Sequence, residues 1–155
     1  MMANKRIVYQ SDEGIAAVVI VAPDYDGTME DLLKRVVPAN CQDSADIVEI
    51  DTVPSDRTFR NAWVTAKGKS VEVDLDKSKD IAKDKVRQAR TPKFQELDIA
   101  YQRADEAGDA DAKTAVATKK QTARDATADT KITNADSVDN LKTGMNEVIA
   151  EVEGL

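Results

Sequence analysis

Trp63-Val-Thr-Ala-Lys-Gly-Lys-Ser-Val-Glu-Val-Asp74 is where the chain changes character. Two short runs, Trp63–Ala66 and Ser70–Asp74, flank Lys67-Gly68-Lys69. Val71 and Val73 alternate with polar residues, and Gly68 supplies the positive φ that a tight reversal needs. This predicts a β-hairpin. After Asp74 no alternating pattern recurs. Of the large apolar residues, 25 precede the end of this hairpin and 16 follow it. The first half, about one-third large apolar, can bury a small core; the second, about one-fifth, is thin. The expected fold is α+β: a small N-terminal β-hairpin/helix domain over 1–74, followed by an all-helical C-terminal arm or hairpin over 75–155.

Upstream, Arg6–Gln10 and Ile15–Ala22 are β-rich runs joined by Ser11-Asp-Glu-Gly14, a reasonable hairpin connection. The second run is almost wholly apolar, which predicts a central strand covered on both faces. Pro23 and Gly27 end it. Thr28 is placed to cap a helix, with Asp31 completing a weak capping box. Met29, Leu32, Leu33 and Val36 share one face of that helix, and Pro38 stops it. Asp46–Val53 alternates as a strand does. Pro54-Ser-Asp56 turns the chain, and Arg57–Ala62 leads into Trp63 as a helical turn.

Downstream, helices are expected near 76–90, 92–107, 111–126 and 136–153. Asp76 is the expected first N-cap. Thr91-Pro92 either kinks a helix or starts one, since proline suits the first helical position. Phe94, Leu97, Tyr101 and Ala104 form an amphipathic stripe, and Gly108 is a natural C-cap. Residues 110–130 are rich in Ala, Thr, Lys and Asp, with Val116 the one large apolar side chain. Asn134 or Asp136 is the expected cap of the last helix. There Val138, Leu141, Met145, Val148 and Val152 form a second stripe, widened by Ile149, and Gly144 costs the helix roughly 1 kcal/mol. Such stripes close on one another within one chain or dock on partners. Phe94, Leu97, Tyr101, Leu141, Met145, Val148 and Val152 are the expected partner-binding residues.

Composition narrows the chemistry. The 155 residues include no histidine and one cysteine, Cys41. That removes imidazole bases and ligands, an intramolecular disulfide and any CxxC zinc site. The formal net charge of -7 argues against binding nucleic acid through phosphates. No apolar run approaches the ~20 residues of a membrane helix, and no signal-peptide core follows the start. A soluble protein from a reducing or redox-indifferent setting is expected, with no cofactor and no metal.

Three local features invite a chemical reading. Asp24-Tyr-Asp-Gly-Thr28 after an apolar run resembles the first motif of haloacid-dehalogenase-type phosphatases. The resemblance would make Asp24 the nucleophile and Asp26 the acid/base around Mg²⁺. Pro23 breaks the strand that should deliver the nucleophile, and the rest of that family's pattern is missing, so a strand-to-helix turn is the expected role. Asp24, Asp26 and Glu30 likewise match only half of a calcium loop. Cys41 sits in a polar loop without an evident activating neighbour. Arg57, Arg60, Lys67 and Lys69 surround Trp63 as either a basic-aromatic patch or solvated charges around a core tryptophan.

Two longer segments carry a resemblance of another kind. Val53-Pro-Ser-Asp-Arg-Thr-Phe-Arg-Asn-Ala-Trp63 holds a D-R-x-F-R-N-A-W turn. Arg87–Asp109 holds L-D-x4-R-A-x-E-A-G-D, followed by Lys119-Lys-Gln-Thr-Ala-Arg-Asp125 and Asn140-Leu141-Lys142. Together, over most of 45–142, they resemble small proteins of tailed bacteriophages encoded among virion and tail-fibre genes. The end departs from that pattern: Met145–Leu155 continues as amphipathic helix where those proteins finish in a Trp-Pro element. The resemblance implies a virion structural or accessory protein, an adaptor associated with tail, fibre or capsid that acts by protein–protein binding. An assembly chaperone for tail fibres is the alternative it leaves open; a Mg-dependent phosphatase using Asp24 and Asp26 is the other. The expectation is a non-enzyme located in the virion, assembled in the host cytoplasm. Its partners would be other virion proteins and further copies of itself, not nucleic acid or membrane.

Overall fold

The first six-residue strand, β1 (Lys5–Gln10), runs through the middle of a three-stranded antiparallel sheet. A computed structural model describes residues 2–155. Strand β2 (Ala16–Ile20) lies on one side of β1 and β3 (Asp46–Glu49) on the other, giving the order β2-β1-β3. The pairs run from Arg6↔Ile20 to Gln10↔Ala16 in one ladder and from Lys5↔Glu49 to Val8↔Asp46 in the other. Gly14, at φ 76°, closes the first hairpin.

The expected central strand is therefore an edge strand. β2 is only partly buried and Ile20 is 67% exposed, while the more polar β1 holds the centre. The reason is that β1 needs only two side chains to hold both layers. Ile7 points to one face and Val8 to the other, and both are fully buried, each a contribution of about 1.5–3 kcal/mol. Lys5, Arg6 and Gln10 sit at its ends, where polar groups reach out.

Helix α1 (Met29–Val36) covers the Ile7 face with Met29 and Leu32, joined by Val37, Cys41 and Ala45. Thr28 Oγ1 accepts from the Asp31 N–H (3.1 Å), the expected N-cap bond, and donates to Asp31 Oδ2 (2.8 Å), where a capping box would bring the Asp31 side chain to the Thr28 backbone N–H. Val36, expected on the buried face, is 38% exposed. The Val8 face packs on Ala16, Trp63 and Val71. Trp63 comes from the second hairpin, β4 (Trp63–Val64) with β5 (Glu72–Val73), paired Trp63↔Val73 around Gly68 at φ 73°. Its strands are shorter than the sequence runs. β3 is also shorter, giving way at Ile50–Thr52 to a 3-10 turn.

The chain divides into two compact units, Met1–Lys77 and Ser78–Leu155. The second is helical. α2 (Leu75–Glu106) is one continuous helix with Pro92 inside it, not two helices meeting at Thr91-Pro92. Its start is capped by Asp74, whose Oδ1 accepts from the Lys77 N–H (2.9 Å), rather than by Asp76. Gly108 (φ 66°) reverses the chain, and Asp109 caps α3 (Ala110–Asp125). α2 and α3 are antiparallel, as successive ties show: Lys113 to Asp105, Lys120 to Asp98 (2.7 Å), and Arg90 Nη1 to the carbonyls of Ala123 and Arg124. These ties fall on both sides of Pro92. They hold α2 to α3 on either side of a residue that tends to kink or end a helix, and α2 runs on through it. Thr91 Oγ1 adds a bond to the Arg87 carbonyl just before the proline (2.9 Å).

A 3-10 turn and a one-turn helix, α4 (Thr130–Thr133), precede α5 (Val138–Glu153). Ser137 caps α5, accepting from the Asn140 N–H, and Asp136 takes the Asn140 side chain instead. Leu141, Met145, Val148 and Val152 form its buried face. Among the described residues no helix is long and apolar enough to cross a membrane.

Candidate functional site

The seven residues expected to bind partners lie in the helical unit, and five of them are interior. Leu97, Leu141, Met145, Val148 and Val152 are at most 5% exposed. Phe94 and Tyr101 are half-buried under cations, Lys113, Lys120 and Arg124 from α3 and Arg90 from α2 itself. Lys113 and Lys120 stand 5.5 and 4.8 Å from the Tyr101 ring. Arg90 and Arg124 stand 5.8 and 5.9 Å from Phe94. Lys113 is anchored on Asp105, Lys120 on Asp98, and Arg90 on the last carbonyls of α3, while Arg124 Nη1 reaches Gln121 Oε1 at 3.5 Å. Asp105 holds the Lys113 ammonium above its ordinary pKa through the hydrogen bond between them. Such aromatic–cation pairs contribute about 0.5–1 kcal/mol each at exposed sites. The stripes thus close within the chain. What stays outside on α2 is Ile99, 50% exposed, nearly opposite Leu97 around the helix.

In the sheet unit, Asp24 and Asp26 are exposed in the turn between β2 and α1, where the Tyr25 N–H bonds to the Ala22 carbonyl (3.1 Å). Among the described residues no group of three or more acidic or cysteine side chains is positioned to hold a metal ion. Cys41 is buried, and its neighbour is Asp12, from the first hairpin turn, with Sγ donating toward Oδ1 at 3.7 Å. Burial pushes the thiol pKa up and the Asp12 carboxylate adds to the rise. This is the reverse of what a nucleophilic cysteine needs. Sequence spacing concealed the pair, because 29 residues separate them.

Beside Cys41 runs a cleft of about 600 Å³ at the hairpin end of the sheet, lined among others by Tyr9, Asp12, Ala16, Arg60 and Asn61. Arg60 lies over the Trp63 ring at 4.4 Å, with Arg57 at 5.9 Å. Burial lowers the Arg60 pKa, and repulsion from Arg57 adds to that. Trp63 and Phe59 are core residues, the second of the two readings, with Arg57 and Arg60 lying against the buried ring. Lys67 turns away to Asp46 (3.3 Å) and the Ala45 carbonyl (2.5 Å).

Comparison with protein-family models, with curated proteins and with solved structures returns no match for this chain.

Proposed function

We propose that the chain is a structural or accessory component of a tailed-bacteriophage particle, an adaptor of tail, fibre or capsid that acts by protein–protein binding. The resemblance of its two signature segments to small virion and tail-fibre-associated proteins carries this reading. The residues in those segments have scaffold tasks here. Asp56 Oδ1 accepts from the Thr58 N–H and hydroxyl in the turn, and Phe59, Ala62 and Trp63 are core. Leu97 and Ala104 are buried, Gly108 takes a positive φ, and Asp109 caps α3. The resemblance therefore rests on turn, cap and core residues, which bear on the fold, and the binding role is what the proposal adds to it.

Quantitative mass spectrometry of purified particles from the encoding phage tests the proposal. Copies in fixed ratio to a tail, fibre or capsid protein are expected. Absence from complete particles, with presence in infected cells, would overturn it in favour of an assembly helper.

A further inference from the structure

The Val8 face of the three-stranded sheet is covered at one end only. There the second hairpin brings Trp63 and Val71 over Val8 and Ala16. At the other end, Arg6 of the central strand stands between Ile20 of β2 and Val48 of β3, its partners in the two ladders. Residues two apart in a strand share a face, so Arg6 lies on the same side as Val8. Ile20 is 67% exposed, and Ile50, just past the end of β3, is 45% exposed. These two line one cleft of about 240 Å³, together with Val18, Val53, Arg6 and Arg57. The cleft is smaller than the roughly 300–1,000 Å³ of small-molecule pockets. Its size suits side chains of another protein.

The charge of the cleft runs against that of the chain. The sequence carries 29 acidic residues against 22 basic ones, yet the charged residues lining this cleft are both arginines. Among the described residues neither arginine has a carboxylate partner. Arg6 Nη1 donates to the carbonyls of Ala3 and Lys5 (3.0 and 2.8 Å), and Arg57 lies 5.9 Å from the Trp63 ring. The acids nearest in sequence do not line the cleft. Glu49 is the ladder partner of Lys5, and the pleat sets both on the Ile7 face. Asp56 Oδ1 accepts from the Thr58 N–H and hydroxyl. Asp51 belongs to the 3-10 turn after β3 and does not reach the cleft wall.

We infer that this cleft docks a segment of another protein that presents an aliphatic side chain between acidic residues. The aliphatic group enters between Ile20 and Ile50, and the flanking carboxylates meet Arg57 and Arg6, whose guanidinium groups suit a carboxylate in geometry as well as charge. The contact is made by side chains. Ala16, at the far end of β2, is fully buried, so the strand offers no continuous backbone template for an added strand. Charge selects the class of occupant. An acidic segment gains from both arginines, and a basic one is repelled by both. A second copy of this chain fits poorly. Two chains of net charge -7 repel each other, and a symmetric contact through the cleft sets each pair of arginines against its own counterpart. The inference concerns the purified chain and does not depend on residence in a particle.

Selection from a random-peptide library on the immobilised full chain tests it, followed by fluorescence polarisation with the synthesised consensus peptide. The selected sequences are expected to share an aliphatic residue flanked by Asp or Glu. The consensus peptide is expected to lose roughly tenfold or more in affinity for Ile20→Lys and for Arg57→Glu, and as much when its own acids are replaced by lysine. Val36→Lys, at an exposed apolar position on α1, is expected to leave binding unchanged. Circular dichroism and Trp63 fluorescence check that each variant is folded. A library that yields no peptide bound above the bare support overturns the inference. So do selected peptides that lack acidic residues, and so does binding that survives both Ile20→Lys and Arg57→Glu. Should Ile20→Lys misfold, Ile50→Lys, at the other exposed side chain of the cleft, takes its place.

Discussion

Gly144 sits in the middle of α5, where helix propensity alone favours alanine by about 1 kcal/mol. The structure reverses that expectation. A Cβ at this position would lie 2.5 Å from the Lys131 carbonyl oxygen, 2.9 Å from its Cβ and 3.0 Å from its carbonyl carbon. Two of these atoms are backbone of α4, so no side chain can swing aside. Restoring ordinary contact, which begins at 3.4 Å, requires α4 to retreat by about 0.9 Å. The retreat lifts Ile132, which is fully buried, and pulls Lys131 from Glu147 and Glu151 on α5. Overpacking of this kind costs about 1–3 kcal/mol, and the loosened Ile132 adds to it. Set against the propensity gain, Gly144→Ala should destabilise the helical unit by about 1–2 kcal/mol. For a unit of this size that lowers the melting temperature by about 5–15 °C. Thermal denaturation followed by far-ultraviolet circular dichroism measures it. Asn146→Ala, an exposed neighbour on the same helix, serves as the control that gains propensity without a clash. A Gly144→Ala protein that melts higher than wild type would refute the close approach of α4 to α5.

Further outcomes follow from the same structure. Pro92→Ala restores a missing helix bond at an exposed position and should stabilise the helical unit by about 1–3 kcal/mol; an unchanged denaturation midpoint would mean that α2 has no proline penalty to relieve. Leu141→Glu places a carboxylate at a fully buried site and should collapse the helical signal while leaving Trp63 fluorescence native, because the only tryptophan lies in the other unit. If helicity survives and only self-association changes, the α5 stripe faces outward. Cys41 should react with a thiol-specific disulfide reagent far more slowly than in denatured protein, and Asp12→Asn should speed the native reaction by removing a charge that raises the thiol pKa. The raised pKa also fixes a sign. The unfolded chain releases the thiol proton first, so this contribution to stability is complete below the ordinary thiol pKa and declines as pH climbs through the raised value. A Cys41→Ala protein should show a shallower alkaline decline in melting temperature.

Patterns confined to one element were readable in the sequence. The Thr28–Asp31 cap, the Gly14, Gly68 and Gly108 reversals, and the buried stripe of α5 all depend on residues within a few positions of each other. Strand order was not readable that way. Apolar content pointed to Ile15–Ala22 as the central strand, but centrality is decided by which strand has neighbours on both sides, and two side chains, Ile7 and Val8, sufficed for β1. Pro92 misled for the same reason. Its local cost is offset by ties from Arg90, Lys120 and Lys113 that join residues far apart in sequence. The fate of Phe94 and Tyr101 turned on cations in a stretch that reads as nearly featureless, Ala110–Asp125. A lysine at helical spacing gives no sign, taken alone, of the ring it will cover.

The unequal edges of the sheet also set a limit on growth. A strand edge that can recruit a neighbour generally can recruit many, because each added sheet exposes a fresh edge, and the product is a filament. On the β3 side the acidic termini and the bonded Lys67–Gly68 loop oppose such addition. On the β2 side Ala16 is fully buried and Val18, Val19 and Val21 pack against the two cores, so the apolar run is spent inside the unit and only its Ile20 end lies open. An edge that is folded into the core over most of its length offers no template along which a filament could lengthen.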